Sequence, residues 1–116
     1  MKETKFYLQH ILEAIDNIEN FTKGMEKEQF MKNVLVHSAV IRQLEVIGEA
    51  VKNLPEKYKA NHTEIPWKKI AGMRDVLIHE YFDIDVKAVW DTIYDDLPTL
   101  KKQIRNIIKQ YNYGED

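Results

Sequence analysis

The chain has 116 residues, 44% hydrophobic and 31% charged, with four glycines, three prolines and no cysteine. That length predicts one domain over residues 1–116, with a modest core and too few turn residues for a loop-rich or β-sandwich fold. A formal charge of −2 and a pI near 6.1 argue against a protein that coats nucleic acid non-specifically, and the missing cysteines exclude disulfides, thiolate catalysis and cysteine-bound zinc.

The first periodic segment starts near Thr4, where Leu8, Ile11, Leu12, Ile15 and Ile18 fall on one helical face. It stops at "FTKGME", with Gly24 as its C-terminal signal. A second segment is predicted as one helix from about Lys27 to Asn53. Phe30, Val34, Ile41, Leu44, Gly48 and Val51 form one stripe of it, and Val36, Val40, Ile47 and Leu54 form another. Two apolar flanks mean a helix covered on two sides, and one of those covers could be a partner subunit. "LPEKYKANHTEIP" reads as a polar connection with room for a short helical turn.

The third helix is expected from Pro66, a residue suited to a first turn, to about Glu80. "FDID" then breaks the pattern, with Asp83 or Asp85 as the next N-cap. In the last segment Trp90, Ile93, Leu97, Leu100, Ile104, Ile107 and Tyr111 keep three- and four-residue spacings, with Pro98 inside the run. Proline cannot bond the carbonyl of Tyr94, so this reads as one long helix kinked near Pro98. The fold class predicted is all-α: an antiparallel bundle of four main helices plus short connecting turns.

No apolar run approaches the roughly 20 residues that a bilayer crossing needs. The opening "MKETKFYLQHILEAI" mixes charges with its apolar residues, unlike a signal peptide. The expectation is a cytoplasmic protein with no membrane contact. Among the four histidines no pair has the i, i+4 spacing that sets two imidazoles on one helical face, so no metal is expected.

One stretch fits neither a core nor a surface helix. "MRDVLIHEYF" (73–82) holds Arg74, His79 and Tyr81 among mostly core-like residues. On a straight helix Arg74 and Tyr81 lie within about 20° of each other, while His79 points about 140° away from Arg74. Asp75 sits one turn beneath His79. Ile70, Met73 and Leu77 make the core stripe, and Trp67, Ala71, Arg74, Ile78 and Tyr81 make a second one. Arg74 and His79 can therefore meet one small target only if the helix unwinds or a second chain completes the pocket. A two-fold dimer does the latter naturally, with the second stripe and the outer flank of the 27–53 helix as candidate interfaces.

Histidine titrates near neutral pH and serves as general acid or base, and arginine presents a charged planar fork matched to phosphate oxygens. Together they suit metal-free RNA cleavage, in which a ribose 2′-hydroxyl attacks the neighbouring phosphorus and the cation stabilises the growing charge. The same residues also suit plainer roles: a capping or salt-bridge pair, with His79 at a helix C-terminus and Tyr81 in the core.

Arg74, His79 and Tyr81 in the arrangement R-x4-H-x-Y resemble the signature of HepT-like toxins of the HEPN superfamily. "AVIRQLEVIGEAVKNL" (39–54) is similar to that family's long second helix, "IPWKKIAGMRDVLIHEYFDID" (65–85) to its motif region, and "VWDTIYDDLPTLKKQI" (89–104) to its last long helix, proline included. The resemblance implies a helical homodimer whose two motifs face a shared cleft, and a metal-independent endoribonuclease with no cofactor. It also implies the toxin of a toxin–antitoxin pair, whose partner is a minimal nucleotidyltransferase. Mapped onto this chain, Arg74 and His79 would be catalytic, and Tyr81 would be the residue to which the antitoxin transfers AMP. A bulky anionic group there would block and repel a polyanion.

Other residues carry two readings each. Arg42, Glu45 and Glu49 share one helical face and either line the cleft and orient Arg74, or form an ion-pair ladder. Lys68 and Lys69, a turn before Arg74, are candidates for RNA phosphates. Trp67 could stack on a base or be structural. Lys102, Arg105 and Lys109, with Lys101 beside them, either guide RNA or antitoxin, or form a solvated face. Two other functions stay open: a helical module that binds a nucleotide or a nucleotidyltransferase without cutting RNA, and a structural dimer in which Arg74 pairs with a carboxylate such as Glu49.

Overall fold

The computed structural model describes residues 2–80 and 83–114. The elements in chain order are α1 (Lys2–Thr22), α2 (Lys27–Lys32), α3 (Val34–Asn53), α4 (Glu56–Ala60), α5 (Trp67–His79) and α6 (Val86–Asp91), then a π-helical turn (Thr92–Asp96) that leads into α7 (Leu97–Gly114). The protein is an all-α bundle. Its long pieces, α1, α3, α5 and the α6–α7 run, are the four periodic segments of the sequence.

Local chemistry sets most of the boundaries. Gly24 follows α1 with φ of +75°, the left-handed conformation that glycine adopts without a Cβ penalty. Asp85 caps α6 by accepting the Ala88 N–H at 3.2 Å. The π turn absorbs the proline: the Leu97 N–H reaches back five residues to the Thr92 carbonyl instead of four. The disturbance expected at Pro98 is thus a wider turn just before it. The buried series Val89, Ile93, Leu97, Leu100, Ile104 and Ile107 keeps its face, with two successive spacings of four where the turn widens.

The 27–53 segment is two helices, not one. Asn33 leaves helical geometry (φ −97°, ψ 90°), and its side chain accepts the Val36 N–H at 3.0 Å. An asparagine that offers its own acceptor competes with the helical ladder, and apolar periodicity does not record that competition. Phe30 is buried, but Val34 and Leu35 are 66% and 81% exposed, against the expectation that Val34 joins the core stripe.

Leu44, Ile47, Val51, Leu8, Ile11, Ile15 and Ile104 are among the side chains of the central core. Within the chain α3 packs against both α1 and α5. The α3–α5 approach is closest at Gly48, where a Cβ would stand 2.3 Å from Arg74 Cβ. Glycine at this crossing lets α5 settle onto α3, and it fixes where Arg74 begins.

Candidate active site

From that crossing Arg74 extends along the exposed face of α3. Its Nε forms an ion pair with Glu49 Oε1 at 2.8 Å, and Nη1 donates to Asp75 Oδ1 at 3.2 Å. Asp75 also accepts from Lys52 Nζ at 3.0 Å. This ammonium, with Arg74 behind it and against some desolvation, holds the Asp75 carboxyl below its ordinary value. One residue further along the ladder, Arg42 lies 3.6 Å from Glu45. The guanidinium of Arg74 is thus fixed on two sides by carboxylates. A guanidinium has five N–H donors, more than these two carboxylates occupy, so donors are left for a ligand.

Arg74, Glu49, Glu45 and Arg42 border an open groove of about 370 Å³. Its floor is α3, with Arg42, Glu45 and Glu49. One wall is α5, through Arg74 and Ile78, and the other is α1, through Phe6, Tyr7 and His10. Both walls stand on α3 because α1 and α5 each pack against it. Among the described residues no three His, Cys, Asp or Glu side chains gather as a metal site would require. No helix among them is long and apolar enough to cross a membrane.

The family model described as "Ribonuclease HepT-like" matches residues 11–107, which include the whole of α3, α5 and the π turn. The chain belongs to the HepT-like ribonuclease family. It is 44% identical over 110 residues to a provisionally named RNase of Caldanaerobacter subterraneus, covering 95% of this chain and 98% of that one. It is 48% identical over 115 residues to a provisionally named RNase of Methanocaldococcus jannaschii, covering 99% and 94% of the two chains. A provisionally named ribonuclease HepT of Thermococcus cleftensis is 48% identical over 105 residues, which cover 90% and 96%. No solved structure matches.

In this HepT-like chain Arg74, Glu49, Glu45 and Arg42 come together in one groove, and Asp75 is tied to Arg74. Asp75 turns to Lys52 and Arg74 instead of serving the histidine one turn above it. Glu49 leaves the Arg42–Glu45 ladder to hold Arg74, so the two readings of that face divide between its residues.

His79 is the last residue of α5. It is exposed and does not line the Arg74 groove. The divergence expected from helical geometry holds within one protomer, and α5 ends too late to remove it. Tyr81 lies outside the described residues. Lys68 and Lys69 sit on the first turn of α5, exposed and away from the groove. Trp67 is buried, and its Nε1 donates to the His62 carbonyl at 2.9 Å, so it closes the α4–α5 connection and does not offer a stacking face. Lys101 spans to α1, 2.7 Å from Glu19 and 3.2 Å from Asp16, and those carboxylates raise its pKa.

Phe6, Tyr7 and His10 form a groove wall that sequence reasoning passed over. Only a surplus gives them away. Leu8, Ile11 and Ile15 already supply the buried face of α1, and Phe6 is a large aromatic off that face.

Proposed function

We propose that this protein is a metal-independent endoribonuclease acting in the cytoplasm as the toxin of a toxin–antitoxin pair. Arg74 and His79 would be its catalytic residues in a cleft at a homodimer interface. The observation that carries this reading is the open, doubly anchored guanidinium of Arg74 in a chain of the HepT-like ribonuclease family. A cation whose position is set before substrate arrives stabilises developing phosphate charge with little reorganisation.

In this mechanism a His79 imidazole accepts the proton of a ribose 2′-hydroxyl. The oxygen attacks the adjacent phosphorus, the O2′–P bond forms and the P–O5′ bond breaks. The products are a 2′,3′-cyclic phosphate and a 5′-hydroxyl end, whose oxygen takes a proton from the second, protonated His79 of the dimer. The free Arg74 donors face the non-bridging oxygens of the phosphorane. A two-fold dimer supplies the convergence that one α5 cannot, since Arg74 and His79 of one protomer open to different sides. The neutralising partner would be a minimal nucleotidyltransferase that adenylylates Tyr81, placing a bulky anion where a polyanion must enter.

A second reading, a non-catalytic module that binds a nucleotide or a nucleotidyltransferase, draws support from charge. The neighbouring ion pairs set Arg42, Lys52 and Arg74 against Glu45, Glu49 and Asp75, so together they are neutral. One experiment separates the two. The unmodified protein, its intact mass established, is assayed on tRNA and mRNA in EDTA beside Arg74→Ala, His79→Ala and protein adenylylated by its partner. The ribonuclease reading expects cyclic-phosphate ends from wild type alone. Intact RNA with unmodified, dimeric wild type would leave the binding module.

A further inference from the structure

The α1 wall of the Arg74 groove carries an aromatic feature that the proposed chemistry does not use. Phe6 is 54% exposed, and the His10 ring lies against it with centroids 4.3 Å apart and planes tilted by 56°. Tyr7 also meets Phe6 in an edge-to-face arrangement, at 5.6 Å and 73°. The i, i+4 spacing of Phe6 and His10 stacks them on one helical face, and the edge of Tyr7 holds the phenyl ring in place. Phe6 is thus an exposed aromatic that lines the groove and is braced by two other rings.

The charges around it define what that face would serve. The ion-paired cluster beside it has equal numbers of cations and carboxylates, and the whole chain has a net charge of −2. Counterion release, the usual source of affinity for a nucleic-acid backbone, is therefore weak here. A strand held at this groove needs attraction of another kind, and base stacking on an aromatic side chain provides it independently of net charge. The groove itself, about 370 Å³, is large enough for a nucleotide-sized group between the two walls.

We infer that Phe6, backed by His10, forms a stacking platform for one unpaired nucleobase of a single-stranded RNA whose phosphate is held by Arg74. The inference rests on the ribonuclease reading and gives that site a substrate class: unpaired RNA, with a base beside the held phosphate. A duplex would not present its bases to this wall, because they are already stacked on one another.

The test uses the full chain and a fluorescein-labelled 2′-O-methyl oligonucleotide, which cannot be cut because its 2′ oxygen is blocked. Its Kd is measured by anisotropy beside that of an otherwise identical strand with abasic sites. Wild type is expected to bind the base-bearing strand more tightly. Phe6→Ala and His10→Ala should each weaken that binding by roughly 5- to 150-fold while leaving the abasic strand unchanged. Phe6→Trp should restore it. Both positions are exposed, so thermal melts should stay close to wild type. Equal binding of both strands by wild type and Phe6→Ala would overturn the platform, and the ribonuclease reading would stand if wild type still cuts RNA. Failure of wild type either to bind or to cut RNA would sink both. A lower sedimentation coefficient for Phe6→Ala would mark the rings as a protein–protein interface, and would overturn the platform as well.

Discussion

Arg74 Nε and Glu49 Oε1 are 2.8 Å apart, an ion pair between α5 and α3. It comes from two adjacent positions of α3 acting together: Gly48 brings α5 close, and Glu49 receives the arginine that this closeness delivers. The ion pair sets the azimuth of the guanidinium while its remaining donors stay open to the groove.

Glu49→Ala removes that anchor without touching the core, since the Glu49 side chain is 55% exposed. Its melting temperature is expected to match that of wild type. RNA cleavage should fall by roughly 10- to 100-fold, as expected when a catalytic cation loses one of its two anchors. The loss should sit mainly in kcat, because a loosened arginine still attracts phosphate but no longer meets the transition state in one geometry. Unchanged single-turnover rates would mean that Asp75 alone orients Arg74.

Gly48→Ala and Gly72→Ala form a matched pair. An alanine Cβ at 48 meets Arg74 Cβ at 2.3 Å and forces the two helices apart, whereas at 72 it meets nothing within 4 Å. The first substitution is expected to destabilise by about 1–3 kcal/mol through overpacking. The second lies in a helix interior and should stabilise by roughly 0.5–1 kcal/mol. Urea unfolding of both variants checks the signs, and equal effects would place the close approach elsewhere.

The Lys52–Asp75–Arg74 chain carries a pH dependence with a definite sign. The hydrogen bond from Lys52, and secondarily Arg74, holds the Asp75 carboxyl below its ordinary value of 3.8. A lowered carboxyl contributes stability above its ordinary value and loses it as pH falls through the lower folded-state value. Asp75→Asn should therefore be less stable than wild type from pH 7 down to pH 4, and the two should converge as pH drops below 3.8. Denaturation midpoints across that window report it. A gap that persists undiminished in strong acid would mean that the ionised carboxylate is not what stabilises.

Trp67→Phe tests which of two roles this indole plays. It loses the bond from Nε1 to the His62 carbonyl and part of a buried ring, at about 1–2 kcal/mol. Affinity for the uncleavable oligonucleotide should not change. A drop in affinity with stability intact would return Trp67 to the binding surface.

Much of the fold was legible along the chain because helical periodicity is local. The faces of α1, α5 and the α6–α7 run follow from three- and four-residue spacings, and Gly24 and Asp85 end or begin helices through their own backbone and side-chain chemistry. The divergence of His79 from Arg74 follows from the same 100° step. Three things needed the tertiary structure. Asn33 divides the second segment because its carbonyl oxygen captures the Val36 N–H, an event decided by competing hydrogen bonds and not by apolar pattern. Glu49 turns from its own ladder to Arg74 because Gly48 lets another helix come within reach. Phe6 and His10 join the groove from residues more than sixty positions away, because α1 and α5 happen to share α3 as their support. Periodicity tells each helix which side to bury. Which exposed sides then face each other depends on how the buried ones fit, and that is a property of the packed bundle.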